Sequence, residues 1–263
     1  MSNCAAPEAK PGSLTLRAKP ETAAAERHSL LTLAILSALM AFGPISTDLY
    51  LPALPTMTEA LHTNSGVMEW TISGYLIGFS LGQLIWGPIG DRFGRRGPVA
   101  VGIALFAIGS IGCALSTSAG VMIAWRVFQA VGACAGVVLA RAMVRDLYAG
   151  SRAARMLSIL ITVMAIAPLI GPIVGAEILR LTAWPGIFWL LVVISIAIFV
   201  AVLALPETLP AERRRRGGLA DALRTYVHLL GDRRILGFAA SGACLYSGVF
   251  AYIAGSPFAY IDY

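Results

Sequence analysis

The sequence predicts an all-α membrane protein: a bundle of six transmembrane helices, a basic linker and a seventh transmembrane helix. Three observations carry this. Only 13% of the 263 residues are charged and 57% are hydrophobic, against about 25% charged in a soluble domain. Apolar stretches long enough to cross a hydrocarbon core of roughly 30 Å as a helix recur along the chain. These stretches are continuous rather than alternating at every second residue, which argues against a membrane barrel.

Taken in order, residues 1–28 are polar and rich in Ala and Pro, and read as a disordered tail. Positive charge ahead of an apolar run superficially resembles a secretory leader. The run at 30–51 is too long for a leader core and no small-x-small site follows it, so it reads as an uncleaved first span. Span two (70–87) opens at the interfacial pair Glu69–Trp70. It carries Gly74, Gly78 and Gly82 on one face, where small residues let helix backbones approach. Span three covers 98–115. Span four (121–140) repeats the small-residue pattern with Gln129, Gly132, Gly136 and Ala140.

Span five (157–179) contains "APLIGPIVGA". Pro168, Gly171, Pro172 and Gly175 fall at i, i+3, i+4 and i+7, so they are expected on one face of a proline-kinked helix. The readings are a grooved face that slides on a moving partner, or a kinked structural helix. Span six covers 184–205. Six spans thus make a domain at 29–205. Residues 206–234 form a basic linker, and 235–263 hold the seventh span. Within the linker, "LADALRTYVHLL" (219–230) has apolar residues at helical spacing beside basic ones. That suits an amphipathic helix on an inner leaflet or an ordinary solvated connection.

The net charge of +6 invites a nucleic-acid partner, but the placement of charge excludes it. Every Lys and Arg except Arg126 and Arg180 falls in the N-terminal tail or in every second connection. By the positive-inside rule those segments are cytoplasmic, N-terminus included. Cys4, Cys113, Cys134 and Cys244 are isolated, and His28, His62 and His228 lack ligand spacing. No disulfide framework or metal site follows. Neither a phosphate loop nor a catalytic triad is present, so no cofactor is implied and an enzyme is not expected.

Two charges lie inside spans: Asp48 in "STDLYLPALP" and Arg126 in "WRVFQAVGACAG". Intramembrane ionisable groups are costly and point to function. Each lies a few residues from the outer end of its span, and the matching depth permits a pair. A carboxylate protonated in one state and paired in another is what proton coupling needs. The plainer alternatives are an interfacial helix end before Pro52 for Asp48 and snorkelling for Arg126. Glu177 and Arg180 read as a local i, i+3 pair.

The motifs together resemble a known family. "GPIGDRFGRRG" is similar to the signature loop between spans two and three of the major facilitator superfamily. "RVFQAVGACAG" is similar to its fourth-span motif, and "APLIGPIVGA" to its fifth-span antiporter motif. "STDLYLPALP", "QLIWGPIGDRFGRR", "QAVGACAGVVLARAMVRDLY" and "SPFAYI" resemble the Bcr/CflA drug-resistance branch. Ala130 stands where the broader fourth-span motif has Gly.

The resemblance implies the major facilitator fold, with a six-span bundle of 3+3 inverted repeats. It implies a drug:proton antiporter in a bacterial inner membrane, acting on small molecules and protons. Asp48 and Arg126 would couple protons. Gly90, Asp91, Arg92, Gly94, Arg95 and Arg96 would form a cytoplasmic latch, the acid meeting a helix N-terminus and the arginines bridging bundles. The latch partners would come from a second bundle, of which only span seven is within the 263 residues. Membrane lipid and that second bundle are the expected packing partners. Two other readings stay open: export of a metabolite such as an amino acid or sugar, and an inactive truncated fragment.

Overall fold

The computed structural model describes residues 20–214 and 219–261, with side-chain surroundings for 30–214 and 224–252. The expected disorder of 1–28 lies outside the described residues as far as residue 19. From residue 20 the chain is already helical, so the first helix starts earlier than its apolar stretch does.

The helices are α1 (Pro20–Asp48), α2 (Leu54–Ala60), α3 (Ser65–Phe93), α4 (Arg96–Ala114), α5 (Ala119–Leu147), α6 (Gly150–Leu181), α7 (Pro185–Leu203), α8 (Leu219–Leu230) and α9 (Arg233–Ile261). Among the described residues, seven segments are long and apolar enough to cross a membrane. The first is Leu30–Ala60, in which α1 stops at Asp48 and a short 3-10 turn, Leu51–Ala53, leads into α2. Pro52 and Pro55 sit at the starts of these two pieces, where a missing N–H costs nothing.

Helices outrun their apolar stretches because polar residues cap them. Asn64 accepts from the Val67 N–H at 2.9 Å and starts α3 at Ser65, four residues before Glu69. Ser118 plays the same part for α5 through the Val121 N–H. The α3–α4 connection closes on Gly94 at φ +93°, a left-handed conformation open to glycine.

Small residues set the packing. A Cβ at Gly78 would run into the Val127 carbonyl, so α3 and α5 cross backbone to backbone. Along α5 the small residues serve different neighbours. Gly132 backs onto α4 at Phe106, whereas Gly136 backs onto α1 at Leu39. Two apolar clusters fill the bundle. One, with Phe42, Tyr50, Tyr75, Phe106 and Phe188, lies toward the Asp48 end. The other, with Leu36, Trp86, Ile103, Leu139 and Leu205, lies toward the α3–α4 loop. By contrast α6 shows Leu169 and Ile173 more than two-thirds exposed, and none of the apolar window of α9 is buried.

Candidate functional site

The two intramembrane charges occupy neighbouring but separate settings. Arg126 is fully buried on α5. Its Nη1 donates to the Gln129 side-chain oxygen at 2.6 Å and to the Ser46 carbonyl at 3.2 Å. Gln129 in turn donates to Ser110 Oγ at 2.7 Å, tying the group to α4. The guanidinium stacks between two rings, 4.2 Å from the Tyr50 centroid and 4.3 Å from that of Tyr75. A desolvated cation over an aromatic face gains about 2 kcal/mol. Both rings are pinned in turn. Tyr50 shares a hydrogen bond with Thr71, and Tyr75 accepts from Ser46 Oγ at 2.7 Å. Nε and Nη2 of Arg126 have no hydrogen-bond partner among the described residues.

Asp48 is the last residue of α1 and is 5% exposed. It forms no hydrogen bond or ion pair with another described residue; Arg126 acts on it only through space. The pair that matching depth permits is therefore not formed. The reason is packing: Asp48 turns toward α6. A Cβ at Gly171 would sit 3.0 Å from the Asp48 Cβ, and one at Gly175 would run into the Leu49 carbonyl. The snorkelling alternative for Arg126 fails as well, because the side chain reaches no surface.

The α6 motif divides. Gly171 and Gly175 face α1, with Ala167 one turn earlier on the same buried stripe. Pro168 is exposed and Pro172 half-buried. The four residues do not all share the contact face, because the prolines sit beside the stripe rather than on it.

At the other end of the bundle, the α3–α4 loop is built around Arg95. Its Nη1 meets Asp91 Oδ1 at 2.8 Å and its Nε meets Asp146 Oδ2 at 2.8 Å. Burial works against the charge, but the two carboxylates outweigh it and hold the guanidinium above its ordinary pKa. Arg92 lies over the Phe93 ring at 5.3 Å. Gly90 packs under Leu139 and the Arg95 guanidinium. A cavity of about 300 Å³ opens beside the triad, between α3 and α5.

The carboxylate at the helix N-terminus is not Asp91 but Glu207, from the segment after α7. It accepts from the N–H groups of Arg95 (2.8 Å), Leu209 (3.1 Å) and Arg96 (3.3 Å). The Arg95 and Arg96 N–H groups stand at the start of α4, where a helix leaves its first donors unpaired; the Leu209 N–H belongs to Glu207's own segment. Burial pushes Glu207 up, yet the three N–H groups and the Arg214 charge outweigh it and hold the carboxyl below its usual range. A side chain at Gly94 would strike Glu207. Arg96 donates to the Leu203 carbonyl at the end of α7. The loop is thus braced from within the first bundle and its linker, rather than only across bundles. Sequence reasoning missed Glu207 and Asp146. The available signals were one acid between Pro206 and Pro210, and one acid in "RDLY".

The sequence profile of the Major Facilitator Superfamily matches residues 30–261. The chain belongs to this superfamily. Among similar major facilitator proteins, an uncharacterized MFS-type transporter of Bacillus subtilis, YdgK, is 37% identical over 236 residues. The match covers 88% of this chain and 59% of that protein. A bicyclomycin resistance protein homolog of Haemophilus influenzae is 30% identical, over 88% of this chain and 58% of its own length. A chloramphenicol resistance protein of Pseudomonas aeruginosa is 39% identical, over 62% and 39%. The chain thus spans little more than half the length of the longest-matched relatives. The solved proton:xylose symporter XylE superposes with a TM-score of 0.64 at 14% identity, over 81% of this chain and 56% of that one. At that identity the likeness concerns the fold alone.

Proposed function

We propose that this chain supplies the first bundle and the opening span of a proton-coupled exporter of small amphipathic drugs. Its site is an inner membrane, with the N-terminus in the cytoplasm. Relatives named for bicyclomycin, chloramphenicol and multidrug resistance support the substrate class. The placement of the Arg residues in alternate connections supports the orientation.

The observation that carries the proposal is Asp48: a buried carboxylate without an ion-pair partner among the described residues, wedged where α1 breaks against the glycine groove of α6. A buried charge is costly unless paired, so the protonation state of Asp48 answers to whatever faces it. Movement of α6 past Leu49 changes those surroundings. Arg126 is clamped by Gln129, Ser46 and two rings, and serves as a fixed positive reference. Proton binding at Asp48 then biases the bundle toward one of two access states, and substrate at the interface between bundles biases it toward the other. The bracing of Arg95 by Asp91 and Asp146 holds the loop end shut in one of those states.

The test is drug accumulation in inverted vesicles from a drug-sensitive bacterial host carrying a full-length version of the transporter, under an imposed proton gradient. Asp48→Asn is expected to abolish gradient-driven export while the protein still inserts. Undiminished export by the mutant overturns the coupling role. Competition by amino acids or sugars but not by drugs turns the substrate reading to a metabolite.

A further inference from the structure

The amphipathic segment of the linker is helical as α8, and its attachment is specific. Tyr226 Oη donates to the Leu84 carbonyl on the outer surface of α3 at 3.2 Å. It stands 4.0 Å from where a Cβ on Gly87 would be, so the absence of a side chain there leaves the approach open. Tyr226, Val227 and Leu230 fall within one arc of the helix. Arg224 and His228 fall on the other side, both exposed. Val227 is 70% exposed and Leu230 63%. The apolar arc is therefore attached at its tyrosine and uncovered beside it.

Charge selects the occupant. The segment before α8 carries Arg213 to Arg216, α8 carries Arg224, and α9 begins with Arg233 and Arg234. Arg233 and Arg234 are both exposed. An apolar stripe framed by arginines on the same side as most basic residues fits an anionic lipid surface. Acyl chains receive the stripe and headgroups receive the arginines. A protein surface covering the same stripe would not need a basic frame.

We infer that α8 is an anionic-lipid docking helix: Tyr226 tethers it to the flank of α3, Val227 and Leu230 enter the leaflet, and the flanking arginines engage the headgroups. The inference does not rest on the transport reading.

The test places a nitroxide on the 263-residue chain, in a background with Cys4→Ser and Cys244→Ser, through Val227→Cys, Leu230→Cys or His228→Cys. The chain is held in nanodiscs of phosphatidylcholine alone or of phosphatidylcholine with phosphatidylglycerol. The 227 and 230 labels are expected to move from nickel-accessible to oxygen-accessible when phosphatidylglycerol is present. Added salt, or Arg224→Gln with Arg233→Gln and Arg234→Gln, reverses the shift, and the 228 label stays in water throughout. Labels at 227 and 230 that remain in water with phosphatidylglycerol overturn the inference. Equal burial in both lipids without a salt response overturns it too, and points to cover by protein or to apolar insertion alone.

Discussion

Arg126 and Arg95 are both buried, at 0% and 6% exposure, yet they are held in opposite ways. Arg95 has two carboxylates on it, one from the last turn of α3 and one from α5. Arg126 has no carboxylate on it; carbonyl and amide oxygens and two stacked rings take that place. The difference teaches how the bundle handles charge at two depths. Near the loop, where Asp91 is still 39% exposed, ions pair with ions. In the interior the cation is held by neutral groups, and Asp48 is left without an ion pair among the described residues.

The largest break in this comparison is Arg126→Lys. An ammonium cannot lie flat between Tyr50 and Tyr75 or bond Gln129 and Ser46 in the same plane. Thermal unfolding in detergent is expected to show a loss of about 3 kcal/mol, for buried hydrogen bonds of a charged donor left unmade, and a full-length version is expected to lose transport. The same change at Arg95 keeps two ion pairs available and should cost less. Next comes Gly175→Val, which drives a side chain into the Leu49 carbonyl. Overpacking of this kind costs about 1–3 kcal/mol. Cross-linking between α1 and α6 reads it out as a weakened contact.

Smaller still are the carboxylates of Arg95. Asp146→Asn is expected to destabilise by about 1.5 kcal/mol and Asp91→Asn by less, because charge-assisted bonds gain strength with burial. Asp146 is the more buried, at 19% against 39%. Equal effects in melts of the two mutants would show that exposure does not rank them.

The smallest effect belongs to Glu207. Glu207→Gln weakens the cap on α4 by about 1 kcal/mol. Because the folded carboxyl sits below its ordinary value, its contribution is fully present above the unfolded pKa. It fades as pH falls through the folded one. Melts of wild type and Glu207→Gln should therefore differ at neutral pH and converge in acid.

Much of this was legible before any coordinates. The seven spans follow from apolar runs, and the shared face of Gly74, Gly78 and Gly82 follows from four-residue spacing, though not that α5 packs on it. The exposed Glu177–Arg180 pair, at 3.3 Å, follows from i, i+3 proximity. The helix ends were less legible, since apolar stretches stop short of the Asn64 and Ser118 caps. At the site, Arg126 and Asp48 were recognisable as buried charges, but the direction each faces was not.

Sequence by itself determined what is local and periodic: which residues span, which share a helix face, and which are too polar for their surroundings to be accidental. Tertiary structure alone decided three things. Asp48 packs its Cβ against Gly171 and forms no ion pair with Arg126, Arg126 lies between two tyrosines, and Glu207 caps a helix that begins 111 residues before it. Periodicity sets the positions of side chains around one helix axis. It does not set the rotation of that helix against its neighbours, and that rotation is chosen by where small residues let backbones meet.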